Sequence, residues 1–189
     1  MTPRTFADED GTPFPATVMD DRSGVEQGRG SYALAPDKAR VSRLPGGVFD
    51  AVRAKATEGE AAMAAGDLPA AWGAFVDALQ LLPDPVERWN AAGWLLVAMG
   101  EIRFRGGKYK TALDPLQDSM SCPGTLGNPW VHLRLGQARF EVGEMERAAD
   151  EFARAYMGGG RDVFEGQDPK YFALVEKVLR PPAGMDRLP

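Results

Sequence analysis

The chain is constrained most by a spacing that occurs three times. Gly59, Gly66, Ala71, Phe75 and Ala78 recur as Gly100, Gly107, Ala112, Leu116 and Ser119, and again as Gly136, Gly143, Ala148, Phe152 and Ala155. In each set a glycine is followed at fixed offsets by a second glycine, a small residue, a large apolar residue and another small residue. Self-similarity of this kind marks an array of like supersecondary units, and the Ala-rich texture makes those units helical. Each unit reads as two antiparallel helices, A and B. The second glycine falls where helix A ends, because a left-handed terminal residue costs least when it is glycine. Asp67 can then cap helix B, with Pro69 tolerated in its first turn. The first glycine and the two later small residues let A and B approach closely, while Phe75, Leu116 or Phe152 fills the space beside them.

The flanks carry a different texture. Residues 1–46 mix Pro, Gly, Asp and Ser with scattered apolar residues such as Phe14, Val18, Tyr32 and Leu34, which predicts an extended or irregular N-terminal arm. The repeats occupy 47–157, at about 50–83, 85–120 and 129–157, and Asn128-Pro129 reads as a turn and the start of the last. Residues 158–180 read as a linker and a capping helix, with Asp168 as cap, Pro169 in the first turn, and Tyr171, Leu174, Val175, Val178 and Leu179 on one apolar face. The tail, 181–189, is expected to be loose. Two departures from regularity stand out. Gly59 and Gly100 are 41 residues apart while Gly100 and Gly136 are 36 apart, and Asp84-Pro85 predicts a capped, continuous helix from Pro85 to Arg105 that takes up the excess. Pro115, inside the second B helix, removes one backbone hydrogen bond and should kink it.

Over about residues 50–157 these offsets resemble the tetratricopeptide repeat (TPR), a helical hairpin of roughly 34 residues. The resemblance implies an all-α fold: three TPR-type hairpins stacked into a short right-handed solenoid with a C-terminal capping helix. It implies a protein-binding scaffold, not an activity. Chaperone-tail binders of this family use a basic and asparagine-rich clamp, and the equivalent first-repeat positions here are Ala56 and Glu60, which argues against that ligand class. The run CPGTLGNPWVHLRLGQARFEVGEMERAADEFARAYMGGG, with DPKYF and SYALAPDKARVSRLP, is similar to a group of short bacterial TPR proteins that accompany secreted toxins. That resemblance implies an immunity-like role, sequestering one partner protein. A secretion-type chaperone or assembly scaffold holding a peptide segment would use the same framework.

Composition narrows the alternatives. A net charge of −5, with 27 acidic and 22 basic residues spread along the chain, supplies no basic stripe for nucleic acid. The longest strongly apolar run, Trp94 to Met99, is too short to cross a bilayer, and the N-terminus has no apolar leader core, so no membrane association and a cytoplasmic location are expected. His132 is the one histidine and Cys122 the one cysteine. A nucleophilic triad would have to use His132, whose simpler reading is an interhelical or surface histidine, and the pair leaves no ordinary zinc ligand set. In Arg105-Gly106-Gly107-Lys108 the first glycine a phosphate loop requires falls on Ile102, and Tyr109 stands where Ser or Thr is needed. Asp8-Glu9-Asp10-Gly11 fails the calcium-loop template at Phe6 and Thr17. Gly158 to Gly160 follow a helix and read as a stop and hinge. No enzymatic role, cofactor or metal is therefore expected.

Surface recognition remains. In a curved stack the A helices line the inner face. By register the second A helix offers Trp94, Val97, Glu101, Phe104 and Arg105 to a groove, and the third offers Trp130, Leu133, Gln137, Phe140 and Glu141. Aromatic residues on an exposed face would be anchors for another protein or a peptide segment. Trp89, Leu96 and Met99 occupy a further face of the same second A helix, which is either covered on both sides by this chain or left open to a partner on one. The sequence leaves the oligomeric state open.

Overall fold

The computed structural model describes residues 44–181, 183, 184 and 188. The expected N-terminal arm falls almost wholly outside them. Seven α-helices follow in order: α1 (Gly46–Ala64), α2 (Leu68–Gln80), α3 (Asn90–Arg105), α4 (Tyr109–Ser119), α5 (Pro129–Glu141), α6 (Met145–Gly159) and α7 (Pro169–Val178). Short 3-10 turns lie at Val86–Arg88 and Arg161–Phe164. The architecture is an all-α stack: α1 packs on α2, α3 on α4 and α5 on α6, each hairpin contacts the next, and α7 closes the end against α6.

The threefold spacing has a direct steric origin. A Cβ built on Gly59 would lie 2.8 Å from Phe75 Cε2, one on Gly100 2.5 Å from Leu116 Cγ, and one on Gly136 2.6 Å from Phe152 Cδ1. Each large side chain of helix B thus presses onto bare backbone of helix A. Ala71, Ala78, Ala112, Ser119, Ala148 and Ala155 are all fully buried beside these contacts. Gly66, Gly107 and Gly143 have φ of 76°, 68° and 85°, in the left-handed region. Each ends its A helix in the same paired hydrogen bonds, as in Gly66 N–H to Met63 O and Asp67 N–H to Ala62 O, which satisfy carbonyls the helix would leave open.

Three of the four expected Asx-Pro or Asp-capped starts form. Asp67 accepts from Ala70 N at 3.0 Å, Asn128 from Trp130 N at 3.0 Å, and Asp168 from Lys170 N at 3.0 Å. The fourth, Asp84-Pro85, does not start a continuous helix. Pro85 is extended (ψ 130°), a single 3-10 turn follows, and Trp89 is extended again at φ −104° and ψ 132° before α3 begins. The Trp89 indole folds back to donate to Pro83 O at 2.7 Å, so the extra residues form a compact corner. Helix α4 continues through Pro115, which is buried within it.

The C-terminal end also differs from expectation. Helix α7 buries Tyr171, Phe172 and Val175, while Val178 is exposed. The buried face is turned toward Phe172 because the Arg161–Phe164 turn inserts Phe164, whose ring lies 5.3 Å from that of Phe172 and 5.9 Å from that of Phe152. Leu188, in the tail expected to be loose, is buried in this same aromatic cluster. Glycine at 158 and 159 has its own reason: a Cβ there would meet Pro129 at 2.8 and 3.1 Å, so the end of α6 lies against the start of α5.

Candidate functional site

The groove residues named from register divide into two groups. Trp94, Val97, Trp130 and Leu133 are buried, so the expectation of aromatic anchors on an open face is corrected for these positions. Trp94 meets Phe75 edge-on at 5.7 Å within the N-terminal core, and Leu133 belongs to the C-terminal one. Phe140 is half-buried and packs against Tyr171 at 5.4 Å and Phe152 at 6.4 Å. The reason is common to all five: an A helix in this stack is overlaid by its neighbours on more than one side, so α3 is buried at every position from Ala91 to Ile102 except Leu96.

The second group converges. Glu101, Phe104, Arg105 and Gln137 line one cavity of about 270 Å³, together with Tyr109, Arg134, Gly166, Gln167, Asp168 and Tyr171. Its floor comes from α3 and α5, one wall from the start of α4, and the rim from the loop into α7. Glu101 is only 1% exposed. It sits between two guanidinium groups, with Arg105 Nε at 2.7 Å and Arg134 Nε at 2.6 Å. Arg134 is itself buried, sandwiched with its guanidinium carbon 4.4 Å from the Phe104 ring centre and 4.6 Å from that of Trp130. Such stacking suits the weakly hydrated, planar guanidinium better than it would an ammonium. The chain of polar contacts continues from Arg134 Nη1 to Gln137 Oε1 at 2.8 Å, and from Gln137 Nε2 to Gln167 Oε1 at 2.7 Å.

The rim has the opposite arrangement. Lys170 Nζ lies between two carboxylates, 2.9 Å from Glu141 and 3.2 Å from Asp168. Tyr171 Oη donates to Glu141 at 2.7 Å. Burial alone would push the Glu141 carboxyl up, but the bonds from Lys170 and Tyr171 outweigh it and hold it below the usual carboxylate range. Burial, and then the bond to Glu141, raises the Tyr171 phenol well above its ordinary value, so it remains a donor. Glu141, the last of the residues named from register, therefore ties α7 to α5.

Arg134, Tyr109, Gln167 and Tyr171 were missed from sequence. Arg134 lies one turn before Gln137, and a charge inside the otherwise apolar start of α5 was the available signal. The chemically suggestive residues are engaged elsewhere. His132 Nδ1 is 2.6 Å from Glu151 Oε2, between α5 and α6. Cys122 is buried, and burial first, then Glu87 and Asp118, pushes its thiol up to about 11. Its loop packs on α3, where a Cβ on Gly93 would meet Cys122 Cβ at 2.8 Å and Thr125 Cγ2 at 2.7 Å. Among the described residues no group of three or more His, Cys, Asp or Glu side chains could hold a metal ion, and no helix is long and apolar enough to cross a membrane.

No family model and no curated protein matches the chain. Among solved structures, one described as the crystal structure of MamA is similar over 63% of this chain and 71% of that one, at 20% identity and a TM-score of 0.47. The likeness is one of helical backbone.

Proposed function

We propose that the chain is a non-catalytic protein-binding module that holds a segment of a partner protein at the cavity between α3, α5 and α7. The observation that carries this reading is the cavity itself. It joins aromatic walls (Phe104, Tyr109, Tyr171) to a preorganised polar floor (Glu101, Arg105, Arg134, Gln137), the combination by which interfaces anchor a partner. The engagement of His132 with Glu151 and the protonated, buried Cys122 favour binding over nucleophilic chemistry. The narrower form, that the partner is a secreted toxin neutralised by sequestration, is supported by the sequence resemblance to toxin-accompanying TPR proteins.

The test is affinity capture from the native cell with three versions of the chain. Tyr109→Ala removes a half-buried wall of the cavity, and Lys110→Ala alters an exposed residue beside it. A partner recovered in stoichiometric amount with the wild type and Lys110→Ala, but lost with a folded Tyr109→Ala, supports the reading. Recovery of no stoichiometric protein, or equal recovery with all three, overturns it.

A further inference from the structure

The turn between α3 and α4, where Arg105-Gly106-Gly107-Lys108 fails as a phosphate loop, differs in charge from its two counterparts. In the third hairpin Glu144 N–H donates to Arg139 O at 2.9 Å, and the side chains close the same turn as an ion pair, Arg139 Nη1 to Glu144 Oε2 at 2.7 Å. The equivalent backbone bond runs from Lys108 N–H to Arg103 O at 2.8 Å in the second hairpin, and from Asp67 N–H to Ala62 O at 2.9 Å in the first. The same position thus carries Asp67, Lys108 and Glu144 in turn. The middle hairpin sets a second cation where an acid would meet its arginine. What Arg103 meets instead is Trp72 of α2: its guanidinium carbon lies 3.8 Å from that ring's centre, and both residues are half-buried. Among the described residues no carboxylate pairs with Arg103 or with Lys108, and Arg103 Nε is buried without a hydrogen-bond partner. Two residues from both Glu101 and Arg105, Arg103 lies about 200° around α3 from each, and neither it nor Trp72 lines the cavity.

We infer that this turn is a second contact surface, which takes an acidic side chain, Asp or Glu, from a partner protein and seats its carboxylate on Arg103 in the place that Glu144 holds against Arg139. The inference goes beyond the cavity and does not depend on it. The chain itself supplies the pattern for the ligand, because at matched backbone geometry the group that completes the arginine of the third hairpin is a carboxylate. The indole holds the Arg103 guanidinium in one plane and strips water from one of its faces, so a planar carboxylate meets a fork that is already oriented. The exposed Lys108 beside it adds charge of the same sign, which favours an acidic segment and repels a basic one. In a chain of net charge −5 this turn is a local exception, so it selects by position and not by overall attraction.

Lys108→Glu tests this directly, since it rebuilds within the chain the pair that Arg139 and Glu144 make and so occupies Arg103 from inside. Random short peptides displayed on phage are selected on the full-length wild type, and those that Lys108→Glu no longer retains are resynthesised for titration calorimetry. They should be enriched in Asp and Glu, and replacing the acid by its amide should weaken binding by at least about tenfold. Arg103→Gln should weaken the same peptides by a similar factor. Lys108→Glu should abolish binding without lowering the melting temperature, which separates an occupied site from a misfolded one. Peptides without an acidic residue, or peptides that bind Lys108→Glu as they bind the wild type, would overturn the inference, as would failure to select any peptide that depends on residue 108. A short single-stranded RNA that binds the wild type and is lost with Lys108→Glu, in the absence of such peptides, would overturn it in favour of nucleic acid. Self-association in sedimentation that Lys108→Glu removes would overturn it in favour of a second copy of this chain.

Discussion

The first and third hairpins are built on the same spacing, yet their A helices bury different chemistry. Helix α1 sets Phe49, Val52, Ala56 and Met63 into an apolar core, and none of its described residues buries a polar side chain. Helix α5 buries His132, Arg134, Gln137 and Arg139 among its apolar residues. The contrast is clearest at one equivalent position, the residue after the repeated glycine. It is Glu60 in α1, half-buried; Glu101 in α3, enclosed by two arginines; and Gln137 in α5, hydrogen-bonded on both sides of its amide. The glycine and its aromatic or aliphatic partner fix the hairpin, so the next residue is free to vary. The lesson is that this array separates what holds it together from what it can recognise, and places the two side by side on one helix.

The comparison breaks most visibly if the hairpins are not equivalent in their cores. Phe75→Ala and Phe152→Ala, each removing a fully buried ring, should both destabilise by about 3–5 kcal/mol in denaturant unfolding. A large loss at one site and a small one at the other would mean that the shared spacing hides unequal hairpins. Next in size, Glu101→Gln removes the carboxylate charge that the buried Arg134 and the partly buried Arg105 both face and should cost about 3 kcal/mol or more, whereas Glu60→Gln should cost clearly less. Equal losses would remove the distinction between α1 and α3. Ala112→Leu overpacks the middle hairpin and should cost about 1–3 kcal/mol; an unchanged melting curve would refute the register. The smallest effect concerns pH. The Glu141 carboxyl is held below its unfolded value of about 4.3, so its contribution is present in full above that value and is lost as pH falls through the lower folded one. The Tyr171 ring signals in NMR should therefore shift on acidification in the wild type, through loss of the Glu141 bond, and should lose that titration in Glu141→Gln.

The hairpins were legible because both sides of each close contact repeat: Gly59 with Phe75, Gly100 with Leu116, and Gly136 with Phe152, always sixteen residues apart. The left-handed glycines and the Asp67, Asn128 and Asp168 caps were legible because their chemistry is local. Asp84-Pro85 carried the same local signal and failed, since the Trp89 indole reaching back to Pro83 O decides the path there. The candidate site was half legible. Register alone placed Glu101, Phe104, Arg105 and Gln137 on one face. It could not show that Trp94 and Trp130 are covered, which depends on how neighbouring layers close over α3 and α5. Arg134 was hidden for a different reason: its partner Glu101 is 33 residues away, and no short window contains both.

The seam between the second and third hairpins has a practical consequence. Cys122 is the chain's one thiol, it is buried where its loop meets Gly93 of α3, and its thiolate form is suppressed by a value of about 11. Burial holds the thiol in its protonated form at neutral pH, so an alkylating reagent succeeds chiefly when the loop lifts away. The rate of alkylation of the native chain is then a clock for that opening, read by mass spectrometry without any added label. A ligand seated at the neighbouring face of α3 should slow the clock if it tightens the seam and leave it unchanged if it does not.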